Sequence, residues 1–166
     1  MSGIVVFGEE TPEDHPAIRK LLAAAFKRSG EADLVEALRK DGDLVFGCVA
    51  AIDQRVVGYA ALSRMSAPFP ALGLGPVAVS APYRGKGVAS GLLRWSLTRA
   101  RDEQWRAIFV FGDSAFYGRF GFRPDLAASF GSPHAGPHFT ALALNGALPA
   151  KEGKVDYAPG FGRLRP

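Results

Sequence analysis

The spacing of apolar side chains changes several times along the chain, and each change predicts a new element. Residues 4–8 are apolar and compact enough for a short first strand. Thr11-Pro12-Glu13-Asp14 follows with the chemistry of a helix start. The Thr11 hydroxyl can accept a backbone N–H, the Asp14 carboxylate can reach back, and Pro12 stands where its missing donor costs nothing. Ile18, Leu21, Leu22 and Ala25 then recur with a helical period, so the first helix buries that stripe, with Pro16 a mild irregularity in its opening turns. A second short helix is predicted over residues 31–40, with Leu34, Val35 and Leu38 on one side and Gly42 beyond its end.

Apolar runs at residues 44–52 and 55–63 are separated only by Asp53-Gln54, which predicts an antiparallel hairpin. The next run, residues 72–79, carries Gly73, Gly75 and Pro76, which a regular central strand tolerates poorly; a bulge is expected there. Over residues 87–103 the pattern turns helical, with Val88, Leu92, Leu93, Ser96, Leu97 and Ala100 on one face, and residues 107–111 form a compact buried strand. Strand, helix, strand in that order demands a right-handed crossover and a parallel pair. Beyond Pro124 a Gly/Pro-rich loop leads to a strand at residues 139–144, with another expected near 155–157. Nothing reads as a repeat, linker or low-complexity segment, so residues 1–166 are expected to form one mixed-sheet domain of the α/β (α+β) class.

Composition narrows the function classes. The 166 residues are 48% hydrophobic and 22% charged, enough apolar material for a sizeable core, which excludes a disordered chain. Twenty Lys and Arg against sixteen Asp and Glu leave a net charge of +4, a mild bias that suits an anionic ligand. The cations are dispersed and no aromatic residues alternate with them, so Arg163 and Arg165 read as solvated charge and not as a nucleic-acid surface. The one cysteine, Cys48, sits inside an apolar run, which makes it a small buried hydrophobe instead of a nucleophile and rules out an intrachain disulfide. His15, His134 and His138 lack metal-ligand spacing, so no metal is expected. Met1-Ser2-Gly3-Ile4 has no basic segment leading into a long apolar core, and no stretch approaches the ~18 uninterrupted apolar residues a membrane span requires. The expected setting is the cytoplasm, with no membrane partner.

The informative stretch is Val77-Ala78-Val79-Ser80-Ala81-Pro82-Tyr83-Arg84-Gly85-Lys86-Gly87-Val88-Ala89, a strand running through a Gly-rich turn into an amphipathic helix. Such a turn leaves backbone N–H groups unpaired at the positive end of a helix, where they can surround a phosphate or pyrophosphate. Gly85 and Gly87 let the backbone approach closely, and Arg84 and Lys86 add positive charge. The Walker pattern fails, because Gly87 stands where Ser or Thr is needed and Ala81 where the earlier Gly is needed. A dinucleotide-binding fingerprint fails at Ser90, and its place after an antiparallel hairpin is wrong for that motif.

What remains is Arg84-x-x-Gly87-x-Ala89 after an apolar strand, which resembles the acyl-CoA loop of the GNAT superfamily of N-acetyltransferases. The second half, Ala107-Ile108-Phe109-Val110-Phe111-Gly112-Asp113-Ser114-Ala115-Phe116-Tyr117-Gly118-Arg119-Phe120-Gly121-Phe122, resembles that superfamily's fifth strand, following helix and terminal Gly-Phe turn. The likeness is close over residues 72–122, and the upstream elements agree in order. It implies a mostly antiparallel central sheet, flanked by helices, with a splayed parallel pair that receives the pantetheine arm of acetyl-CoA as an added strand. It further implies that the amides of Arg84, Gly85, Lys86, Gly87, Val88 and Ala89 hold the pyrophosphate. An N–H near Val77 or Ala78, on the strand that ends at Val79, would polarise the thioester carbonyl.

In that setting an amine attacks the acetyl group directly, without an acyl-enzyme, and Tyr117 matches the position of the acid that protonates the departing thiolate. Its other reading is a core tyrosine. Glu31 is the candidate base, acting through water, although an acid in the first turn of a helix also complements the dipole. Asp113 is a second candidate that a helix-capping role would equally explain. The acceptor pocket would be built by the first two helices and the loops at residues 64–70 and 127–138. The acceptor is left open among small amines, amino acids, aminoglycosides and protein amines, and so is the choice between monomer and homodimer. A non-catalytic module that binds or senses acyl-CoA is the alternative to an enzyme.

Overall fold

A computed structural model describes residues 3–164; Met1, Ser2, Arg165 and Pro166 lie outside the described residues. The chain opens with β1 (Val6–Glu9), then α1 (His15–Phe26) and α2 (Gly30–Asp41), followed by the strands β2 (Leu44–Ile52), β3 (Arg55–Arg64) and β4 (Ala71–Val79). Next come α3 (Val88–Asp102), β5 (Ala107–Phe111), α4 (Ser114–Gly118), α5 (Pro124–Ala128), β6 (Phe130–Gly131), β7 (Phe139–Ala143) and β8 (Gly153–Lys154). Six strands form one sheet in the order β1-β2-β3-β4-β5-β7, antiparallel except for the β4–β5 pair.

Each predicted element but the last has its counterpart, with small shifts at the ends. β1 starts two residues later than its apolar run, leaving Ile4 86% exposed. The Thr11 start is a single 3-10 turn over Pro12–Asp14, with the Thr11 N–H donating to Asp14 Oδ2 at 2.9 Å; Pro16 falls in the first turn of α1, where it breaks nothing. Asp53 and Gln54 take positive φ (49° and 64°), the backbone of a two-residue hairpin turn. The strand expected at residues 155–157 is displaced. The ladder is the two-residue β8 against β6, and only a bridge from Asp156 to Ser66 lies in the expected stretch. The loop after Pro124 also contains α5, because Pro124 sits in a first turn where its missing N–H is harmless.

Period-two alternation sends the two sides of the sheet into different cores. Phe46, Cys48 and Ala50 of β2 join Leu62 and Leu72 beneath Leu92, Leu93 and Leu97 of α3. Val49, Tyr59, Ala61 and Ala78 meet Ile18, Leu22 and Val35 of α1 and α2. A further cluster of Phe69, Phe109, Phe130, Phe139 and Tyr157 fastens the chain after β5 onto the sheet.

The step that positions the site is in β4. Ala60 pairs with Val77 and Leu62 with Leu74, so the lone Ala61 of β3 faces the two residues Gly75 and Pro76, the bulge expected from sequence. Gly75 has φ +144°, a conformation that favours glycine, and Pro76 has no N–H to offer a neighbour. Parallel pairing with β5 covers only Ala71↔Ala107 to Leu74↔Val110 and stops there. From Gly75 to the end of β4 the two strands part, so the backbone on that side has no strand partner.

Candidate active site

The parting of β4 from β5 opens a cavity of about 270 Å³, lined by Gly75, Pro76 and Val77 on one side and by Val110 and Phe111 on the other. Further along β4, Val79 faces a second cavity of about 340 Å³ with Arg84, Gly85, Gly87, Val88, Ala89 and Ser90. Val77 and Val79 are two residues apart and so share one face of the strand. The consecutive α4 residues Phe116 and Tyr117 divide between the two cavities in the same way. The two cavities therefore lie in line along one face of β4 and mark a path from the Gly-rich turn to the bulge.

At the turn, Gly85 and Gly87 have φ +75° and +82°, and a Cβ built on either would meet nothing within 4 Å. Their requirement is conformational, since an L side chain is strained at that φ. The first helical bond of α3 is Gly91 N–H to Gly87 O at 3.0 Å, so the N–H groups of Val88, Ala89 and Ser90 precede any intrahelical acceptor. Arg84 Nε donates to Val79 O at 3.0 Å and braces the loop against the strand it leaves. Lys86 is exposed and is not among the residues lining the cavity. Ala78 is buried on the α1 side, so only its backbone is available to the path. Arg119, whose guanidinium lies 4.9 Å from the centre of the Phe116 ring, also lines this cavity. Sequence reasoning missed both residues, although their i, i+3 spacing beside Tyr117 is the signal that would have found them.

At the bulge end, Tyr117 stands between the rings of Phe116 and Phe122, with centroids at 5.1 and 5.8 Å. Its phenol is pushed up to about 12, first by burial and then by the negative charge of Asp113. Asp113 itself caps α4, accepting from Ala115 N–H at 3.0 Å and Phe116 N–H at 3.4 Å, which gives its carboxylate a structural task. Glu31 is 4% exposed in the first turn of α2 and faces the same cavity as Tyr117. Its Oε1 accepts from Arg28 Nε at 2.9 Å and its Oε2 from Arg28 Nη2 at 2.6 Å.

Phe26, His134, Tyr157 and Phe161 complete the wall. Phe26 and His134 lie in the first helix and the 127–138 loop expected around the acceptor, whereas Tyr157 and Phe161 come from a C-terminal segment with no motif around it and were not signalled by sequence. The 64–70 loop does not reach this wall. Cys48 is fully buried on the α3 side, with its thiol pushed up to about 12 by burial, so it is no nucleophile. His15 pairs with Glu10 at 3.0 Å, and no group of three or more metal-ligating side chains occurs among the described residues. No helix among the described residues is long and apolar enough to cross a membrane.

A parted parallel pair ending in a Gly-rich helix start can be compared with known proteins directly. The family model for the GNAT acetyltransferase family matches residues 15–122. The chain belongs to the GNAT acetyltransferase family. Among its relatives, an uncharacterized N-acetyltransferase of Escherichia coli K12, YhbS, is 41% identical over 123 residues, covering 72% of each chain. A second from that strain, YjhQ, is 32% identical over 119 residues, covering 67% of this chain and 65% of its own length.

The crystal structure of the Escherichia coli GNAT protein YhbS in complex with CoA superposes with a TM-score of 0.89 at 32% identity, covering 99% of this chain and 96% of that one. A GNAT acetyltransferase from Brucella melitensis in complex with acetyl-CoA gives 0.82 at 30% identity, covering 96% and 99%. The mixed sheet with its parallel pair is thus the GNAT fold, and the chain is an acyltransferase of the N-acetyltransferase class.

Proposed function

We propose that residues 1–166 act as one catalytic domain that moves an acetyl group from acetyl-CoA to a primary amine by direct attack in a ternary complex. The observation that carries the reading is the end of β4–β5 pairing at Leu74 and Val110, with a Gly-rich helix start at one end of the opening and Tyr117 at the other. Two structural relatives crystallised with CoA or acetyl-CoA support the choice of cosubstrate.

Acetyl-CoA supplies the activated thioester. The first-turn amides of α3 and the Gly85 and Gly87 backbone hold the pyrophosphate, with Arg84 and Arg119 adding charge at the cavity wall. The β4 backbone left without a β5 partner pairs with the amide-bearing arm, and an N–H at Val77 or Ala78 faces the thioester oxygen as it gains charge.

Tyr117 keeps its proton at neutral pH, since burial holds it near 12. A phenol this weak is a poorer acid than a thiol of pKa about 8.5, so full transfer to sulfur is uphill. Tyr117 therefore acts by donating a hydrogen bond to the leaving sulfur. Glu31 receives the incoming ammonium and takes its proton through water, with Arg28 fixing both carboxylate oxygens.

The test is CoA release, followed with a thiol reagent across an amine panel, together with thermal stabilisation by acetyl-CoA. At ~100 times its dissociation constant the cosubstrate adds about 2.7 kcal/mol to the native state. Stabilisation with amine-dependent thiol release is expected; neither signal would end the proposal.

A further inference from the structure

The acceptor end of the cleft differs in chemistry from the rest of the path. Glu31 is the only formally charged side chain among the described residues that line it. The other lining side chains are apolar or aromatic, Tyr117, His134 and Tyr157 among them. Phe26 and Phe111 are two of the four large apolar residues exposed among those described, and both border this cavity at 37% and 55% exposure.

Tyr157 lines the same cavity beside Phe111. It is 7% exposed, and its hydroxyl has no hydrogen-bond partner of ordinary geometry. The Phe111 N–H stands near enough to oppose the upward shift that burial gives the phenol, but not in hydrogen-bonding geometry. The ring is held by Phe161 at 4.7 Å and His134 at 5.0 Å, and it lies on Gly73, where a Cβ would come within 2.5 Å of it. A buried hydroxyl without a partner costs free energy that the fold does not recover. A ligand polar atom would recover it.

We infer that the acceptor is a small primary amine carried on an aromatic or compact apolar body without a carboxylate, and that Tyr157 accepts a hydrogen bond from its nitrogen. This rests on the acetyltransferase reading above. The volume of about 270 Å³ must also take the thioester end, which favours a compact acceptor over an extended one. An amino-acid carboxylate would be buried against Glu31 with no cation among the described lining residues to meet it, Arg28 being already paired to both Glu31 oxygens. A polyamine would bring a second ammonium to a wall with one carboxylate. An aminoglycoside would lose the hydration of its hydroxyls against phenyl rings.

The reaction served is balanced by one proton: the ammonium sheds it, the N–C bond forms as the C–S bond breaks, and the second amine proton leaves with sulfur as the thiol.

The experiment compares 2-phenylethylamine with phenylalanine, which shares its body and adds the carboxylate, and with spermidine, kanamycin and a lysine peptide. kcat/KM for 2-phenylethylamine is expected to exceed that for phenylalanine about 100-fold and to lead the panel. Tyr157→Phe should raise KM for the amine about tenfold, leave KM for acetyl-CoA unchanged, and leave Tm unchanged or higher because it deletes an unpartnered group. A preference for any other member, or no turnover of 2-phenylethylamine while acetyl-CoA still stabilises the protein, overturns the acceptor class and spares the cosubstrate reading. An unchanged amine KM in Tyr157→Phe overturns the role of Tyr157. Absence of both stabilisation and thiol release removes the two readings together.

Discussion

The two ends of the path along β4 are built from different materials. In the proposed reaction the working groups at the phosphate end are backbone amides, presented by two glycines in the left-handed region and the first turn of α3. At the acceptor end they are side chains: Glu31 from α2, Tyr117 from α4, and Tyr157 with Phe161 from the segment after β7. The family match at residues 15–122 contains the first end whole and leaves the last part of the second outside. A backbone device tolerates few sequences and is shared across a family. A side-chain wall can be rewritten without touching the fold, so it is where one member differs from another.

The sharpest way to break this contrast is at Gly87. Gly87→Val keeps open space around the new Cβ but forces a β-branched residue to φ +82°, a genuine outlier for that side chain. Loss of the acetyl-CoA stabilisation of about 2.7 kcal/mol is expected in a thermal melt, with the fold retained by circular dichroism. If the variant binds as well as the parent, the glycine conformation is not what holds the phosphates.

At the other end, Tyr117→Phe should lower kcat about 100-fold, the low end for removing a hydrogen-bond donor to developing charge, with KM for acetyl-CoA unmoved. Steady-state kinetics on any turned-over amine decides it. Equal kcat would return Tyr117 to the part of a packing residue between Phe116 and Phe122.

The same contrast explains what could be read from the sequence. The hairpin ends, the β4 bulge and the Gly-rich turn were legible because each is a local signal: Asp53-Gln54, Gly75-Pro76, Arg84-x-x-Gly87. Tyr117 was singled out because it sits six residues past a strand end within one motif, and the structure sets it on the cavity wall. Phe26 and His134 fall in the first helix and the 127–138 loop expected around the acceptor, but Tyr157 and Phe161 were not legible, since the cavity joins positions up to 138 residues apart and apolar residues at each read equally well as core. The misplaced strand near residue 156 has the same origin. A two-residue ladder carries too little alternation to set its own register.

A smaller effect is expected at Gly73, which separates packing from chemistry at the acceptor end. In Gly73→Ala the new Cβ would stand 2.5 Å from Tyr157 Cδ1 and 2.6 Å from its Cε1, so the ring must shift out of the cleft wall. KM for the amine should rise several-fold, while acetyl-CoA affinity, set beyond the bulge, stays the same. Parallel titrations of the two substrates check it, and a matched loss of both would show that the ends are not independent.

The smallest effect is in alkaline stability. Burial raises the Tyr117 phenol from 10.0 in the open chain to about 12 in the fold, and Tyr157 moves in the same direction. Above pH 10 the unfolded state therefore holds fewer protons than the native one, so stability is complete below pH 10 and falls as pH rises toward 12. At pH 10.5 the Tyr117 share of that loss is about 1 kcal/mol. Tyr117→Phe removes its part of the slope, and Tyr157→Phe removes its own. Urea midpoints at pH 8 and 10.5 should fall further apart in the parent than in either variant. A parent and Tyr117→Phe with the same drop would mean that the phenol is not shielded from water, and a hydrogen bond from it to the leaving sulfur would then be weakened by the same solvent.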